Sequence, residues 1–370
     1  MTGACVGLVG AYGQVGRQVA MLLNQHCRLR LGGRDVQQAQ RLNAERLQGR
    51  ATVMALDLWD DRSLEAFCAG CSLVINCAGP SYRVLDRVAR VALAAGADYL
   101  DVGGDDPLHE LLQGQIPPGR RVLLSAGMLP GLSALFPQVV GAGFERIDVM
   151  RCYAAGLGEL SMTAAEDFLL SLGNGYGQAL VGWSEGRRVK AHHALDDAFE
   201  RPWLSGPVLA YPYLSGEQQR LFADMNVGQG LGFNLFAGEH LAATLQRIQG
   251  AAPETRECPE NVAALVRASR LDVAGRTPFQ LMAVEVEGLR DGQVRQASGW
   301  LRAVDGSALT GTVAALCALQ LPQLPAGLHY AAQVLSAQHC VEQVRQWLPE
   351  VRMQVQNGVR QDAAVEEGAL

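Results

Sequence analysis

The sequence predicts an α/β protein: a doubly wound parallel sheet of the Rossmann type, followed by a second, α+β domain built on an antiparallel sheet. Three observations lead to this prediction. Short apolar runs alternate with helical patterns over the first 125 residues, a glycine-rich turn follows the first run, and the alternation stops after Gly127. Strands that alternate with helices require a parallel sheet with right-handed crossovers.

The first six strands are predicted from short apolar runs of the kind buried in parallel sheets. These runs lie at 4–10, 27–33, 51–57, 72–80, 98–104 and 120–127. Apolar residues at helical spacing predict helices between them, at 13–25, 35–48, 60–70 and 83–96. We expect Asp35 to cap the second helix, because its carboxylate can accept from the first free N–H groups.

The second domain is predicted from a change of pattern. Residues 279–304 alternate polar and apolar side chains around "LRDGQV", which is typical of a hairpin turn. An apolar helix at 309–321 is expected to return to the first sheet. We therefore predict a dinucleotide-binding domain at 1–146 completed by about 307–348, a substrate and dimerisation domain at 147–306, and a disordered tail at 360–370.

Composition limits the classes of partner. The chain has 370 residues, 49% of them hydrophobic, and a net charge of −6, which argues against nucleic-acid binding. The one basic cluster, 185–193, is short and reads as a solvated strand edge. No stretch reaches the roughly 18 apolar residues that cross a membrane, and no targeting segment is visible at the N-terminus. We expect a soluble cytoplasmic protein.

Nine cysteines are scattered along the chain. Cys68 and Cys71 form a C-x-x-C pair, but a zinc site needs a second pair of ligands at suitable spacing. We find none in the sequence, so we predict no metal site and expect all nine cysteines to be reduced thiols.

The glycine-rich turn "GAYGQVG" spans residues 10–16. It follows a predicted strand and opens a predicted helix, so it can place backbone N–H groups and the positive end of the helix dipole against a pyrophosphate. Gly10 suits the sharp turn, Gly13 the close approach of the phosphates, and Gly16 the packing of helix on strand. The predicted cofactor contacts in this turn are Gly10, Tyr12, Gly13, Gln14, Val15 and Gly16.

The choice between NAD and NADP depends on the end of the second strand. NAD-specific folds carry Asp or Glu there to hold the ribose 2′-hydroxyl. This chain has "LGGRD", with Arg34 at the expected position of the acid. A guanidinium binds a 2′-phosphate bidentately, so we predict that NADPH/NADP is the cofactor.

Other strand ends meet at the same edge of the sheet, where ligands bind in open α/β folds. Asp57 is a candidate contact of the adenine. Small residues in "NCAGP" and "DVGG" would let the chain pass over the ribose and nicotinamide. The predicted contacts in these two segments are Cys77, Ala78, Gly79, Pro80 and Gly103.

Several motifs resemble those of the saccharopine-dehydrogenase-like reductases. They are "GAYGQVGRQVA", "LGGR", "VINCAGP", "ALAAGADYLDVGG", "GMLPGLS", "LTGTVAALCALQL" and "LPAGLHYAAQVL". The resemblance is strongest over 4–135 and returns at 309–335. By size and compact second domain, the chain looks most like the second-type thiazolinyl imine reductases of siderophore (enantio-pyochelin) biosynthesis. This resemblance implies that NADPH reduces the C=N bond of a thiazoline ring while the substrate is tethered to a peptidyl carrier protein of a nonribosomal peptide synthetase.

Reduction of C=N requires a proton for the nitrogen, from a side chain or an ordered water. Tyr82 follows "NCAGP" and is a candidate donor beside the nicotinamide. Asp101 and Asp105 flank the end of the fifth strand, and His109 lies one helical turn after Asp105. Each also has a structural interpretation: Tyr82 as a packing aromatic, Asp101 as a loop support, and Asp105 as a helix cap.

Thr163, Glu166 and Tyr176 are the candidate substrate contacts in the second domain. His329 and Tyr330, in the returning segment, are a further candidate pair for the cleft, whereas His192 and His193 are expected at the surface. The candidate substrate segment that starts at "SMTAAEDF" has few Arg residues outside 185–201, and "YPYLSG" and "GLGFNLF" suit an aryl ring better than a dicarboxylate.

Two alternatives stay open. One is an amino-acid dehydrogenase of the saccharopine or opine type; the other is a non-catalytic module that binds NADP as a sensor. A homodimer is expected from a second sheet with one exposed face.

Overall fold

The computed structural model describes residues 4–171, 177–191, 201, 203–204 and 208–359. Elements are numbered in chain order. The strands are β1 (Cys5–Val9), β2 (Arg28–Gly33), β3 (Thr52–Ala55), β4 (Leu73–Asn76), β5 (Asp98–Asp101), β6 (Arg121–Leu124), β7 (Arg146–Leu157), β8 (Gly177–Ala179), β9 (Val181–Ser184), β10 (Arg187–Lys190), β11 (Leu209–Ser215), β12 (Gln229–Phe236), β13 (Phe279–Arg290), β14 (Gln293–Ala303), β15 (Gly327–Tyr330) and β16 (Arg352–Val359).

The helices complete the chain. They are α1 (Gln14–Leu23), α2 (Val36–Arg46), α3 (Asp61–Cys68), α4 (Ser81–Val84), α5 (Arg87–Ala94), α6 (Asp106–Leu112), α7 (Leu132–Val140), α8 (Met162–Ser171), α9 (Gly216–Asp224), α10 (Glu239–Gln249), α11 (Pro259–Val273), α12 (Gly306–Gln320), α13 (Ala331–Val334) and α14 (Ala337–Trp347), with short 3-10 turns at Pro253–Thr255 and Leu321–Gln323.

The first sheet is parallel, with the strand order β15-β6-β5-β4-β1-β2-β3. Helices cover both faces, since Val6 and Leu8 pack into a core with α1, α7 and α12, whereas Val74 and Tyr99 pack into another with α3, α5 and α6. The predicted Rossmann-type, doubly wound fold is confirmed. The reversal of strand order between β1 and β4 opens the crevice in which such folds bind ligands.

Two local features of this sheet differ from the expectation. The helix predicted at 83–96 is divided into α4 and α5, because Leu85 adopts a φ of +45° that a helix cannot continue. A seventh strand, β15, pairs with β6 in a closing segment that gave no strand signal of its own. Four residues beside a buried strand can be held by that strand whatever their own pattern.

The second sheet has the order β10-β9-β12-β7-β13-β14-β16, with β11 on β12 and β8 on β11. It is mixed rather than antiparallel, since β12 and β7 run in the same direction over eight residue pairs. The predicted hairpin is confirmed: β13 and β14 are joined by Asp291 and Gly292, both with positive φ. The last strand, β16, lies beyond the predicted domain and pairs with β14.

The helix at 306–320 returns to the first domain. A side chain at Gly311 would lie 2.8 Å from the carbonyl oxygen of Val15, so α12 contacts α1 almost backbone to backbone. Gln18 donates a hydrogen bond to Thr312 across this contact, 3.2 Å long. The phosphate-binding turn is thereby supported from behind by a distant part of the chain.

Candidate active site

The glycine-rich turn has the geometry of a phosphate cradle. Gly10 has a φ of +73°, and a side chain there would meet the backbone nitrogen of Ala78 at 3.0 Å. At Gly16, a Cβ would lie 2.2 Å from the carbonyl oxygen of Gly10. Gly13 is the N-cap residue of α1 and lies at the surface. Because it has no side chain to cap the helix, the first N–H groups of α1 are available to a phosphate.

Gln14 and Val15 belong to the first turn of α1. The side-chain oxygen of Gln14 accepts a hydrogen bond from Ser307 at 3.2 Å, which ties the start of α12 to the cradle. Val15 is half-buried and faces α12 through its carbonyl oxygen. Through these contacts with α12, Gln14 and Val15 fix the position of the glycine-rich turn.

The loop after β2 lies beside the cradle. The ring of Tyr12 covers Gly33, where a Cβ would lie 2.3 Å from it, and its hydroxyl accepts the N–H of Asp35 at 3.2 Å. Asp35 caps α2 as predicted, accepting from the backbone and side chain of Gln38. Arg34 is exposed between them, and among the described residues it has neither a hydrogen bond nor an ion pair. It is thus placed to bind an anionic group.

Asp57 lies two residues beyond the end of β3 and is exposed. Its carboxylate accepts the N–H of Trp59 at 2.9 Å, which forms the turn into α3. This contact is a local turn support, and it leaves the predicted adenine contact as a prediction.

The loops after β4 and β5 touch each other and the second domain. Cys77 donates its N–H to Val9, and burial raises the pKa of its thiol. Pro80 is the N-cap residue of α4. A Cβ on Gly103 would lie 3.4 Å from Ser81, and one on Gly79 would lie 2.9 Å from Thr163 of α8. Glycine at both positions lets the two loops and α8 close around one point.

Asp101 is buried at the end of β5 and fixes these loops through hydrogen bonds. Its carboxylate accepts from Asn76 and Tyr99 on one oxygen and from the backbone of Gly103 and Gly104 on the other. It is 2% exposed, and burial raises its pKa. With both oxygens engaged, Asp101 supports the loop rather than facing a ligand.

Asp105 and His109 belong to a cluster around Arg220 of α9. The guanidinium bonds to Asp105 and Asp106 and lies 3.7 Å over the ring of Tyr330, on which His109 also stacks. Burial raises the pKa of Asp105 to about 6 and lowers that of His109. Asp105 is the N-cap residue of α6 but makes no side-chain capping bond. The interpretation as a cap holds for the position of Asp105 but not for its side chain, which pairs with Arg220 instead.

Helix α8 carries two of the three candidate substrate residues and one further acidic residue. Thr163 faces Gly79, and Glu166 pairs with Arg83 of α4 at 2.9 Å. Tyr176 and the histidines at 192 and 193 lie outside the described residues. This further residue is Asp167, which was not among the predicted site residues.

Asp167 reaches from the second domain into the β4–α4 loop. Its Oδ1 accepts from the hydroxyl of Ser81 at 3.1 Å and from the N–H of Tyr82 at 3.5 Å. Its Oδ2 would lie 3.2 Å from a Cβ on Gly79. Burial raises the pKa of Asp167 to about 6. Only the i, i+4 spacing from Thr163 to Asp167 could have indicated this residue.

Glu217 of α9 fixes the loop between β6 and α7. It accepts the N–H of Gly131 at 2.6 Å and the hydroxyl of Ser133. It is 4% exposed, and burial, assisted by the charge of Asp105, raises its pKa to about 7. This contact orders "GMLPG", the loop of the first domain that faces the second.

A cavity of about 180 Å³, here called the interdomain cavity, lies next to this loop. Met128 and Leu129 line it from the first domain; Ala154, Phe168, Phe236 and Met282 line it from the second. Phe168 follows Asp167 directly, so α8 contributes to both the cavity and the β4–α4 loop. Of the two apolar segments singled out in the sequence, "GLGFNLF" lines the cavity. In "YPYLSG", Ser215 caps α9.

Residues 6–112 match the family model of the saccharopine dehydrogenase NADP binding domain. No curated protein matches the sequence. Apo saccharopine dehydrogenase (L-Glu forming) from Saccharomyces cerevisiae shares the fold over 96% of this chain and 100% of its own, with a TM-score of 0.66 and 14% identity.

A short-chain dehydrogenase/reductase from Veillonella parvula in complex with NADP matches less of the chain. It covers 27% of this chain and 47% of its own, with 18% identity and a TM-score of 0.24. Within the described part of the chain, no helix has both the length and the apolar character needed to span a membrane.

The match at 6–112 bears on the cofactor. It covers the cradle and the loops that contact it, and it agrees with the prediction of NADP from Arg34. The fold agreement extends through the second domain. Residues 6–112 are therefore an NADP-binding domain like that of saccharopine dehydrogenase, in a chain that has the fold of that enzyme and is an NADP-dependent oxidoreductase.

Proposed function

We propose that the protein is an NADPH-dependent reductase of C=N bonds whose substrate is an apolar ring, such as the thiazoline of a siderophore intermediate. The observation that carries this proposal is the interdomain cavity, which lies beside the "GMLPG" loop of the first domain and is lined mainly by apolar side chains. Its volume of about 180 Å³ suits one small ring system rather than a long polar chain.

The charges around the cavity favour the same substrate. Among the described residues that line it, Asp272 is the one charged side chain, and there is no Arg or Lys. Asp272 already accepts from the backbone of His240 and Leu241 at the start of α10. A substrate with two or more carboxylates would need cationic partners there.

The chain supplies binding, orientation and exclusion of water. The N-terminus of α1 would hold the pyrophosphate, Arg34 the 2′-phosphate, and the loops at Gly79 and Gly103 the nicotinamide end. NADPH, when bound, supplies the hydride that adds to the carbon of the C=N bond. The cavity wall formed by Phe168 and Met282 would hold the ring against this edge of the sheet.

Two further parts of the proposal concern partners. We propose that the substrate arrives on a peptidyl carrier protein of a nonribosomal peptide synthetase, which is supported by the resemblance of the chain, in its size and compact second domain, to thiazolinyl imine reductases. We also propose a homodimer, supported by the long second sheet with β16 at its edge. Light scattering after size exclusion, with and without a loaded carrier protein, measures both associations.

A saccharopine-type dehydrogenase is the second candidate function. The family model at 6–112 favours it, since that model describes the NADP-binding domain of saccharopine dehydrogenase. Under this proposal the charged side chains would come from outside the interdomain cavity.

An assay of NADPH oxidation separates the candidates. A 2-aryl-thiazoline-4-carboxylate is the first substrate, and saccharopine with NADP⁺ is tested in the opposite direction. Turnover of the thiazoline alone supports the reductase, and turnover of saccharopine alone overturns it. NADPH binding in the micromolar range without turnover of either substrate would instead support a protein that senses NADP.

A further inference from the structure

We propose that Asp167 is the proton donor to the nitrogen of the substrate. This inference rests on the proposed reduction of a C=N bond. The carboxyl group belongs to the second domain, yet it lies in the β4–α4 loop of the first domain, with Oδ2 beside Gly79 and Oδ1 on Ser81 and Tyr82. It thus contacts the loop expected to hold the nicotinamide from α8, the helix that also lines the interdomain cavity through Phe168.

The position of α8 fixes this placement. Phe168 lines the interdomain cavity, and the preceding residue, Asp167, contacts the cofactor loop. On its other side, α8 packs through Ala165 and Leu169 against α10 and α11 in an apolar cluster. The helix therefore cannot turn Asp167 away without exposing that cluster.

The other acidic candidates near the loop are engaged elsewhere. Asp101 accepts four hydrogen bonds beneath the loop, and Asp105 pairs with Arg220. Glu166 pairs with Arg83 at the outer side of α8. Of these four acidic residues, Asp167 is the one that contacts the cofactor loop from α8, the helix that also lines the interdomain cavity.

The surroundings of Asp167 extend the range of its protonated form toward neutral pH. Its half-buried position raises its pKa to about 6, and the negative charge of Asp101 acts in the same direction. The bonds from Ser81 and Tyr82 act in the opposite direction. The other charged groups nearby, Arg83 and Glu166, form a pair with each other.

When hydride adds to carbon, the electron pair of the C=N π bond moves to nitrogen, and Asp167 gives its proton to that pair to form N–H. The carboxylate that remains takes a proton from solvent. Overall, the reduction of one C=N bond to a CH–NH unit consumes one NADPH and one proton and yields NADP⁺.

Asp167→Asn tests this role while preserving the acceptor for Ser81 and Tyr82. In single-turnover reduction of a 2-aryl-thiazoline, we expect the rate to fall by about 100-fold or more, as loss of a general acid does. The wild-type rate should fall as the pH rises above the pKa of the Asp167 carboxyl group. This pH dependence should be absent from the variant. NADPH affinity, measured by fluorescence, should stay within about threefold.

Ser81→Ala is the matched control, because it removes the bond to Asp167 but keeps the acid. We expect it to lose less than about tenfold and to retain the pH dependence. If D167N and S81A lose the same rate, or if D167N keeps the wild-type pH profile, then Asp167 only joins the domains and the proposal is wrong.

A measurement without cofactor or substrate tests the proton itself. In protein labelled with ¹³C at the Asp carboxyl carbons, the resonance missing from D167N should titrate near pH 6. Titration at or below pH 4 would overturn the proposal even if no imine is turned over. Absence of turnover by wild-type protein with titration near pH 6 would instead count against the proposed function alone.

Discussion

Arg220 of α9 and Asp105 at the start of α6 form a buried ion pair that joins the two domains. The side chains are 20% and 8% exposed, and Asp106 and Tyr330 complete the surroundings of the guanidinium. Arg220→Met should lower the free energy of unfolding by about 3 kcal/mol, since it leaves a buried carboxylate without its partner. Urea unfolding monitored by Trp fluorescence measures the change.

Arg270→Met is the control for this prediction. Its pair with Glu159 is more than half exposed on both sides, so we expect a loss below about 1 kcal/mol. Adding Asp105→Leu to Arg220→Met should recover part of the loss, because it removes the unpaired charge. Equal losses in the two single Arg variants would show that the pair is not buried in solution.

Glu217 makes stability depend on pH in a direction unusual for a carboxyl group. The folded protein holds its proton up to about pH 7, whereas the unfolded chain loses it near 4.5. The folded state therefore binds more protons between these values, and the free energy of unfolding should fall as pH rises through this window. Glu217→Gln should make the curve flatter between pH 4.5 and 7. An unchanged slope in the variant would place the titration elsewhere.

Gly16 and Gly13 should respond differently to substitution by Ala. At Gly16 the new Cβ would lie 2.2 Å from a carbonyl oxygen, so we expect a loss of stability of about 2 kcal/mol or more. At Gly13 the added methyl group meets only the Gly10 oxygen, at 3.2 Å, within the described structure. Gly13→Ala should therefore lower NADPH affinity by about tenfold or more with little change in melting temperature.

Gly158→Ala is the control for both variants. A Cβ there meets no atom within 4 Å of the described structure, so we expect neither stability nor NADPH affinity to change. If Gly13→Ala binds NADPH as the wild type does, the phosphates do not approach the start of α1.

The first sheet could be predicted because its signals are local. Each strand from β1 to β6 is a short apolar run beside a helical pattern, and buried strands need no alternation to be recognised. The seventh strand, β15, contains Gly327 and His329 and depends on pairing with β6, which is about 200 residues away in sequence. The parallel pairing of β7 with β12 depends on tertiary structure in the same way.

The residues of the site likewise fall into those that local sequence predicts and those that tertiary contacts place. The glycine cradle lies within seven consecutive residues, so its chemistry could be predicted from spacing. Asp167 acquires its position only through the packing of α8 on α4, and Glu217 only through its contact with Gly131. Neither stands in a motif, because the contacts that define them cross from one domain to the other.

Ala154 offers a test of the substrate class. It lines the interdomain cavity from β7, and Ala154→Leu would fill part of the 180 Å³. We expect KM for a 2-aryl-thiazoline to rise by about tenfold, while a small cyclic imine such as 2-methyl-1-pyrroline is little affected. Circular dichroism and NADPH affinity serve as controls for folding. If KM for the two imines changes equally, the ring does not bind in this cavity.

Arg34 should determine the preference for NADPH over NADH. It is exposed at the end of β2, and the neighbouring carboxylate of Asp35 is occupied by Gln38. Arg34→Asp should weaken NADPH binding by about 10- to 100-fold, because it removes a charge-assisted hydrogen bond to the 2′-phosphate. It should change NADH binding little, because NADH has no 2′-phosphate. Arg28→Asp, at the opposite end of the same strand, makes the same change of charge away from the site. Fluorescence titrations with both nucleotides measure the ratio of the two dissociation constants. If this ratio changes equally in both variants, the effect is the overall charge of the protein; if it changes in neither, another residue binds the 2′-phosphate.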